Sequence, residues 1–349
     1  ATSIPRCRAH MDASCAVCGR GAQALCSACR EVAYCDGGCQ RSHWRAGHKF
    51  LCRRTFREER RPLCTSGDAE VLPTTSTTSR DLAAELPSRS LTPGEPAAFD
   101  VVLVGQRSLQ HARRVVDQLK ERGICVVKAG ADKAFRRALL IEAELLWTAG
   151  MFEEAVRGRP IEPGSKEMRY SGRDDKVVWL TKSWTEGQER YCKALKVLDN
   201  QLGDFGVGLR SLLEAELGFN LSRRTPGMLA CYSGDEVPGA RYDLHVDNPY
   251  KTVMASPDDG RRLTLVYYIN ENPWDVHKDG GALQVCLTDP NHVPATAAEA
   301  IQSPLLTVAP ESDTLVAFLS SSMYHAVLPV AAGRRRFALS AWFQCDVSA

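Results

Sequence analysis

The chain has 349 residues, a length that suits about two domains at roughly 150 residues each. With 44% hydrophobic residues, 25% charged residues and a net charge of +2, it is neither wholly disordered nor collagenous, and it offers no electrostatic case for bulk nucleic-acid binding. No apolar run approaches the roughly 18 to 20 residues a spanning helix needs, and residues 1–14 lack the apolar stretch of a secretory signal.

The chain begins with Ala1 rather than Met, as a fragment would. Its first unit is marked by cysteine. Of 14 cysteines, seven fall between Cys15 and Cys52. They read Cys15-x2-Cys18-x7-Cys26-x2-Cys29-x5-Cys35-x3-Cys39, followed by His48-x3-Cys52. Thiolate and imidazole are the ligands Zn²⁺ prefers, and four of them close a structural tetrahedral site. Eight ligands therefore make two closed sites with no open position for catalysis. His43 is a competing imidazole whose spacing to Cys52 fits less well. Such clustering argues for a reducing compartment, cytoplasm or nucleus, rather than a secreted disulfide framework.

Residues 53–99 differ in character. Arg53–Arg61 is charged and reads as a solvated face, and the Ser-, Thr- and Pro-rich stretch that follows has few large apolar residues. It cannot bury enough surface to offset its ordering entropy and is expected to be a flexible linker.

Globular character begins near Phe99. Periodicity predicts helices over Ser108–Arg122, Ala134–Trp147, Glu186–Leu202 and Val207–Leu217, the last two separated at Gly203. Strands are expected at Ile124–Val127 and Val177–Leu180, with a long loop over 151–175. After Gly227 come short strands: Met228–Tyr232, Tyr242–Val246, Leu263–Ile269, Leu283–Leu287, Leu305–Val308, Leu315–Leu319 and Phe337–Phe343. Helices followed by many short strands predict a mixed α and β fold, helices packed on a β-sandwich or barrel.

Within the strands lies Tyr242-Asp-Leu-His245-Val-Asp247-Asn-Pro. Residues i and i+2 of a strand face the same side, so His245 and Asp247 can hold one metal. Asp243 shares that face and competes for the carboxylate role. His325, after Leu315–Leu319, is the best third ligand. Two His and one carboxylate form the facial triad of non-haem Fe(II) oxygenases. Eleven residues later, Arg336, Ala338, Ser340 and Trp342 share one strand face. A buried Arg facing a metal cavity wants a carboxylate, which it pairs bidentately. His277 and His292 sit in loops and are not expected to bind metal.

Two resemblances follow from these residues. The segment CAVCGRGAQALCSACREVAYCDGGCQRSHWRAGHKFLC, residues 15–52, resembles a MYND zinc finger. That resemblance implies interleaved sites, Cys15, Cys18, Cys35 and Cys39 on one ion and Cys26, Cys29, His48 and Cys52 on the other. It also implies binding of a short peptide or chaperone motif. The remainder, 100–349 with its iron site within 226–345, resembles the 2-oxoglutarate/Fe(II) dioxygenases, and more narrowly the oxygen-sensing (HIF/Skp1-type) prolyl 4-hydroxylases. The matching residues are GICVV at Gly123–Val127, RDDKVVWL at Arg173–Leu180, MLACYSG at Met228–Gly234, RYDLHVDNP at Arg241–Pro249, DGRRLTLVYYINENPWD at Asp259–Asp275, and then MYHAVLP and RFALSAWF.

This resemblance implies a double-stranded β-helix (jelly-roll) core with supporting helices. His245, Asp247 and His325 would ligate Fe(II), and Arg336 would pair with the distal carboxylate of 2-oxoglutarate. Tyr268 would donate to the same carboxylate, Tyr232 and Tyr242 would line the pocket, Ser340 would sit beside the cosubstrate, and Trp342 would cover the substrate mouth. Trp179 reads as core. His325 to Arg336 is two residues longer than the spacing of close relatives, which would select Arg334; the tail Arg-Phe-Ala-Leu-Ser-Ala-Trp fits only Arg336, which implies a longer hairpin at Val330–Gly333.

The implied reaction is 4-hydroxylation of a prolyl residue in a protein substrate by O₂ and 2-oxoglutarate, with L-ascorbate keeping the iron reduced. Oxygen sensing follows only by analogy, and neither a membrane nor a nucleic acid is an expected partner. Two alternatives remain open at this point. One is another 2-oxoglutarate oxygenase, acting on a different residue or demethylating a nucleic acid. The other is a MYND adaptor with an inactive barrel.

Overall fold

A computed structural model describes residues 20–21, 23–25, 33–43, 91–103, 109–155, 172–181, 192–252 and 257–347. The chain divides into two units, Ala1–Ala84 and Glu85–Ala349.

In the first unit, β1 (Ala24–Leu25) pairs antiparallel with β2 (Ala33–Tyr34), and α1 (Gly37–His43) follows. Tyr34 is fully buried. Asp36 accepts the Cys39 N–H at 2.7 Å and so fixes the start of α1. Among the expected zinc ligands, Cys15, Cys18, Cys26, Cys29, His48 and Cys52 lie outside the described residues. So does most of the expected linker, over 53–90. Its last residues do not behave as a linker. Ala97 N–H donates to Thr307 O, Gln284 donates to Thr92 O, and Leu91 packs with Trp274, Val276 and Leu328. The second unit therefore begins before residue 99, because Leu91 and Pro96 find an apolar wall and a strand edge to bind.

The second unit is built on α2 (Leu109–Arg122), α3 (Lys133–Thr148) and α4 (Lys193–Leu217). Their apolar stripes, such as Val115, Val116 and Leu119 of α2, bury against a large sheet. That sheet runs in the order β3 (Val101–Val102), β4 (Ile124–Lys128), β13 (Thr314–Leu319), β10 (Arg261–Tyr268), β15 (Arg335–Cys345), β8 (Met228–Ser233), β6 (Lys176–Trp179), β5 (Glu153–Glu154), with β7 (Leu221–Arg224) also paired to β15. Among the described strands of this sheet, β3 and β4 pair in parallel and the others antiparallel. A smaller antiparallel sheet runs β12 (Leu305–Val308), β11 (Leu283–Cys286), β14 (His325–Val327), β9 (Tyr242–His245). One cavity is lined by residues of both sheets, so the two face each other as the halves of a jelly roll. No helix among the described residues is long and apolar enough to cross a membrane.

Two expectations need correction. The helix expected to stop at Gly203 runs unbroken through it as α4, 25 residues long. Its glycines are there for close approach. A Cβ on Gly203 would lie 2.9 Å from Arg224 Nε, and one on Gly206 would fall inside the Phe343 ring. The helix ends instead at Gly218, whose φ of 69° is the left-handed conformation glycine tolerates. Residues 182–191, the expected start of this helix, lie outside the described ones, as does 156–171 of the expected long loop. Trp179 is not core. Val178 takes the buried face, and Trp179, on the other, is 38% exposed against Trp342. His325, the expected third ligand, opens β14, a three-residue strand too short for any periodic signal.

Candidate metal centre and cosubstrate pocket

Strand β9 carries His245, and β14 carries His325 directly opposite it in the register. Asp247 lies two residues beyond His245. Its Oδ1 is 3.8 Å from His245 Nε2 and 3.9 Å from His325 Nε2, and one ligand atom from each residue lies within 4.8 Å of the others. The tautomers follow from the backbone. His245 Nδ1 lies 2.8 Å from Asp243 O, and His325 Nδ1 lies 2.9 Å from Met323 O. A carbonyl can only accept, so each Nδ1 carries the proton and each Nε2 presents its lone pair to the centre. Tyr242 stacks on His245 with centroids 3.7 Å apart and fixes the ring plane.

Asp247 Oδ2 accepts hydrogen bonds from Thr264 Oγ1 at 2.7 Å and Trp342 Nε1 at 2.9 Å. Burial pushes this carboxyl up, but neighbouring His325 and the Trp342 and Thr264 donors more than offset it and hold it below its ordinary value. Asp243, the competing carboxylate, is instead half-exposed and pairs with Arg241 at 3.1 Å. His292 is largely exposed beside Glu299, and His277 sits in an exposed loop; neither joins a metal-binding group among the described residues. The donor set of two imidazoles and a carboxylate, with room beside it, fits one divalent first-row metal.

The other end of the cavity is cationic. Arg336 is 2% exposed, opposite Tyr232 in the pairing of β15 with β8. Its Nε donates to Gly281 O at 3.0 Å, and its guanidinium lies over the Tyr232 and Tyr268 rings. Among the described residues no carboxylate lies within ion-pair distance of it. Among the described residues the buried Tyr268 hydroxyl has no hydrogen-bond partner, and burial pushes its phenol up while Arg336 pulls it part of the way back. A buried cation without a counter-ion and an orphaned hydroxyl together describe a seat for an external carboxylate. Tyr232, Tyr242 and Ser340 line the cavity, whereas Tyr267 turns outward to Asp313.

Arg334 stands elsewhere. It precedes β15, stacks over Trp274 at 4.5 Å and pairs with Asp279 at 3.3 Å. Two residues apart in one strand, Arg334 and Arg336 would share a face, but the strand starts only at Arg335. The longer hairpin is anchored by Gly280 bridging Val330 and by Ala331 N–H donating to Asp279 O. Trp342 also lines the cavity; it is 7% exposed and holds Asp247.

Several cavity residues escaped sequence reasoning. Arg173 and Asp175 form a buried two-pronged ion pair at 2.5 and 2.8 Å, and Arg173 lies 4.9 Å over Tyr242. Residues Gly172–Asp174 cover the open edge of β9, with Asp243 N–H donating to Gly172 O and Asp174 N–H to Arg241 O. Thr264 was legible in principle, as a polar residue on the same strand face as Val266 and Tyr268.

In the first unit, Cys35 Sγ and Cys39 Sγ lie 3.5 Å apart and, with Asp36, could hold a metal.

Comparison with known proteins finds relatives for both units. Residues 227–344 match the 2OG-Fe(II) oxygenase superfamily, and residues 15–52 match the MYND finger. The chain is 29% identical over 235 residues to the hypoxia-inducible factor prolyl hydroxylase of Caenorhabditis elegans, covering 66% of this chain and 28% of that protein. It is 32% identical over 171 residues to prolyl hydroxylase EGLN3 of Rattus norvegicus, covering 49% and 62%. It thus spans less than two thirds of either relative. A solved prolyl hydroxylase from Trichoplax adhaerens, in complex with a hypoxia inducible factor oxygen degradation domain peptide fragment, superposes with a TM-score of 0.51 at 26% identity, over 68% of this chain and 91% of that one. The chain joins a MYND finger to a 2OG-Fe(II) oxygenase domain that has prolyl hydroxylases among its homologues.

Proposed function

We propose that this protein hydroxylates a prolyl residue of a protein substrate, using O₂ and 2-oxoglutarate at one non-haem Fe(II). The observation that carries the reading is Arg336, buried without a carboxylate of its own, in the same cavity as His245, Asp247 and His325. O₂ would be the oxidant at the bound iron, one oxygen atom going to the proline and the other to succinate, which forms with CO₂ as 2-oxoglutarate is decarboxylated.

The chain's own residues supply placement. His245, Asp247 and His325 hold the metal through Nε2, Oδ1 and Nε2. Arg336 binds the distal carboxylate of 2-oxoglutarate, and the idle Tyr268 hydroxyl donates to it. Ser340 flanks the cosubstrate. Tyr232 and Tyr242 wall the cavity and exclude water, which strengthens the guanidinium–carboxylate attraction. Exposed Trp179 offers an aromatic face to the proline-bearing segment.

The finer assignments belong to the same proposal: attack at C4 of proline, reactivation by L-ascorbate, two zinc ions on the finger, and cytoplasmic or nuclear residence. The prolyl hydroxylase homologues support the proline. The buried thiols Cys125 and Cys231 suit a reducing compartment. The finger would bring a peptide-bearing substrate or a chaperone to the enzyme.

The test is to load the full chain with Fe(II), 2-oxoglutarate and O₂ in the presence of cell proteins, measure succinate, and map added oxygen by peptide mass spectrometry. Oxygen on proline, absent with His245→Ala, supports the proposal. Oxygen on another residue type, or methyl loss from nucleic acid, moves the protein to another branch of the superfamily. No succinate beyond the His245→Ala background leaves a MYND adaptor.

A further inference from the structure

We infer that Trp342 is a positioning residue for Asp247: with Thr264 it saturates Oδ2, leaving Oδ1 as the single metal-facing atom of the carboxylate. The inference rests on the reading of His245, Asp247 and His325 as a metal site, and deepens it.

The argument is a count of lone pairs. A carboxylate oxygen offers two. Both on Oδ2 are taken, one by Thr264 Oγ1 and one by Trp342 Nε1. Oδ1 accepts from no donor among the described residues and is the oxygen that approaches both imidazole Nε2 atoms. The donors are themselves fixed. Thr264 spends its hydroxyl proton on Asp247, so the 2.8 Å contact with Ser320 runs from the serine hydroxyl to the threonine oxygen. Ser320 and Thr264 are almost wholly buried, away from bulk solvent. The Trp342 indole is held in place by Arg261, whose guanidinium lies 5.0 Å from its ring and whose NH1 donates to Asp247 O at 3.3 Å, and by Trp179 at 6.1 Å. Thus side chain and backbone of Asp247 are both tied to the same aromatic wall.

The consequence concerns coordination number. A carboxylate free to turn can chelate a divalent ion through both oxygens and fill a position that a facial triad must keep open. Occupying Oδ2 with two donors makes one-oxygen binding the favoured state. It also orients the carboxylate before metal arrives, which outer-shell partners commonly do.

The test uses Co(II) as the probe on the full chain, read by titration and by its visible ligand-field bands, with no turnover required. Trp342→Phe keeps the ring and loses the N–H; Thr264→Val keeps the shape and loses the hydroxyl; Thr264→Ser restores the donor. Each loss should weaken Co(II) binding about 10- to 100-fold and change the bands, while Thr264→Ser stays near the parent. Thermal unfolding of the metal-free variants checks that the fold persists, and Thr264→Val carries the test if Trp342→Phe does not fold. If both variants bind Co(II) within about twofold of the parent with unchanged bands, the inference is wrong although the metal site stands. If the parent binds no Co(II), or His245→Ala binds it equally well, the metal reading itself has failed and takes the inference with it.

Discussion

His325 stands directly opposite His245 across the antiparallel pairing of β14 with β9, their ring centroids 4.2 Å apart. Two strands remote in sequence thus deliver two imidazoles to one point, and a one-residue slip of either would turn its histidine to the other face. Asp247 completes the group, while Asp243, two residues before His245, faces Arg241 and solvent.

That geometry separates the two acids. His245→Ala, His325→Ala and Asp247→Ala should each weaken Co(II) or Fe(II) binding more than about 100-fold, since even outer-shell partners are worth 10- to 100-fold. Asp243→Ala should leave it within about threefold, because an exposed ion pair contributes little. Anaerobic metal titration measures both, and metal loss in Asp243→Ala with retention in Asp247→Ala would reverse the assignment.

Arg336 and Arg334 make a second contrast. Removing the buried partner of a carboxylate costs about 3 to 5 kcal/mol, because the remaining charge is stranded; that is roughly 100-fold or more in affinity. Arg334 already has Asp279 and Glu271 as partners and lies outside the cavity. Arg336→Ala should therefore raise the 2-oxoglutarate dissociation constant at least about 100-fold, and Arg334→Ala less than about tenfold. The charge-transfer band of the iron-loaded variants reports it. An equal effect in both would show that the cosubstrate binds outside this cavity.

The legible and the illegible parts of this site differ for a physical reason. The run Arg336, Ala338, Ser340, Trp342 could be placed on one face because a strand alternates with period two, and the cavity lining keeps that alternation along β15; in β9 the pairing shifts register, so Tyr242 rather than Asp243 lines the cavity with His245. Trp342 was on the expected face, yet its depth and its bond to Asp247 depend on which strand lies beside it, and no local pattern records that. The Arg173–Asp175 pair was invisible for the same reason, being defined by Tyr242 on another strand. The unbroken course of α4 through Gly203 reflects tertiary contact overriding local preference, since close packing against Arg224 accounts for glycine there. Residue 334 was misplaced by a strand boundary, the feature that sequence patterns mark least sharply.

Two glycines of α4 should respond oppositely to the same change. Alanine is favoured over glycine in a helix interior by about 1 kcal/mol. A Cβ on Gly208 meets nothing within 4 Å, so Gly208→Ala should stabilise the protein by about 0.5 to 1 kcal/mol. A Cβ on Gly206 would enter the ring of Phe343, itself 4% exposed in β15. Neither the ring nor the strand can withdraw without opening the core, so Gly206→Ala should destabilise by about 1 to 3 kcal/mol. Urea unfolding midpoints decide the matter, and a shift of the same sign in both would mean that α4 does not pack on β15 as described.

Asp258 provides a pH signature. Its Oδ1 accepts from Asn248 Nδ2 at 2.8 Å, Gly260 N at 2.9 Å and Arg262 NH1 at 2.9 Å, and its Oδ2 accepts from Arg262 NH2 at 2.7 Å. The Arg262 hydrogen bonds hold this carboxyl well below its ordinary value, with Asn248 and Gly260 adding to them against a smaller opposing effect of burial. Arg262 is in turn stacked 5.2 Å from the Tyr250 ring, so the cluster ties the turn after Asp247 to the start of β10. A folded-state value lower than the unfolded one, about 3.9, means that the unfolded chain takes up the proton first as pH falls. The contribution of Asp258 is therefore complete above about pH 5 and is lost as pH falls from there toward the folded-state value. Asp258→Asn should cost about 1 to 3 kcal/mol at pH 7, the range for hydrogen bonds to a charged group. Protonated aspartic acid and asparagine resemble each other, each setting a donor against Arg262, so the two proteins should converge in stability as the pH drops below about 4. Urea midpoints of the parent and Asp258→Asn across that range test the sign. A gap that stays constant from neutral to acid pH would mean that the lost stability came from shape and not from the charge on Asp258.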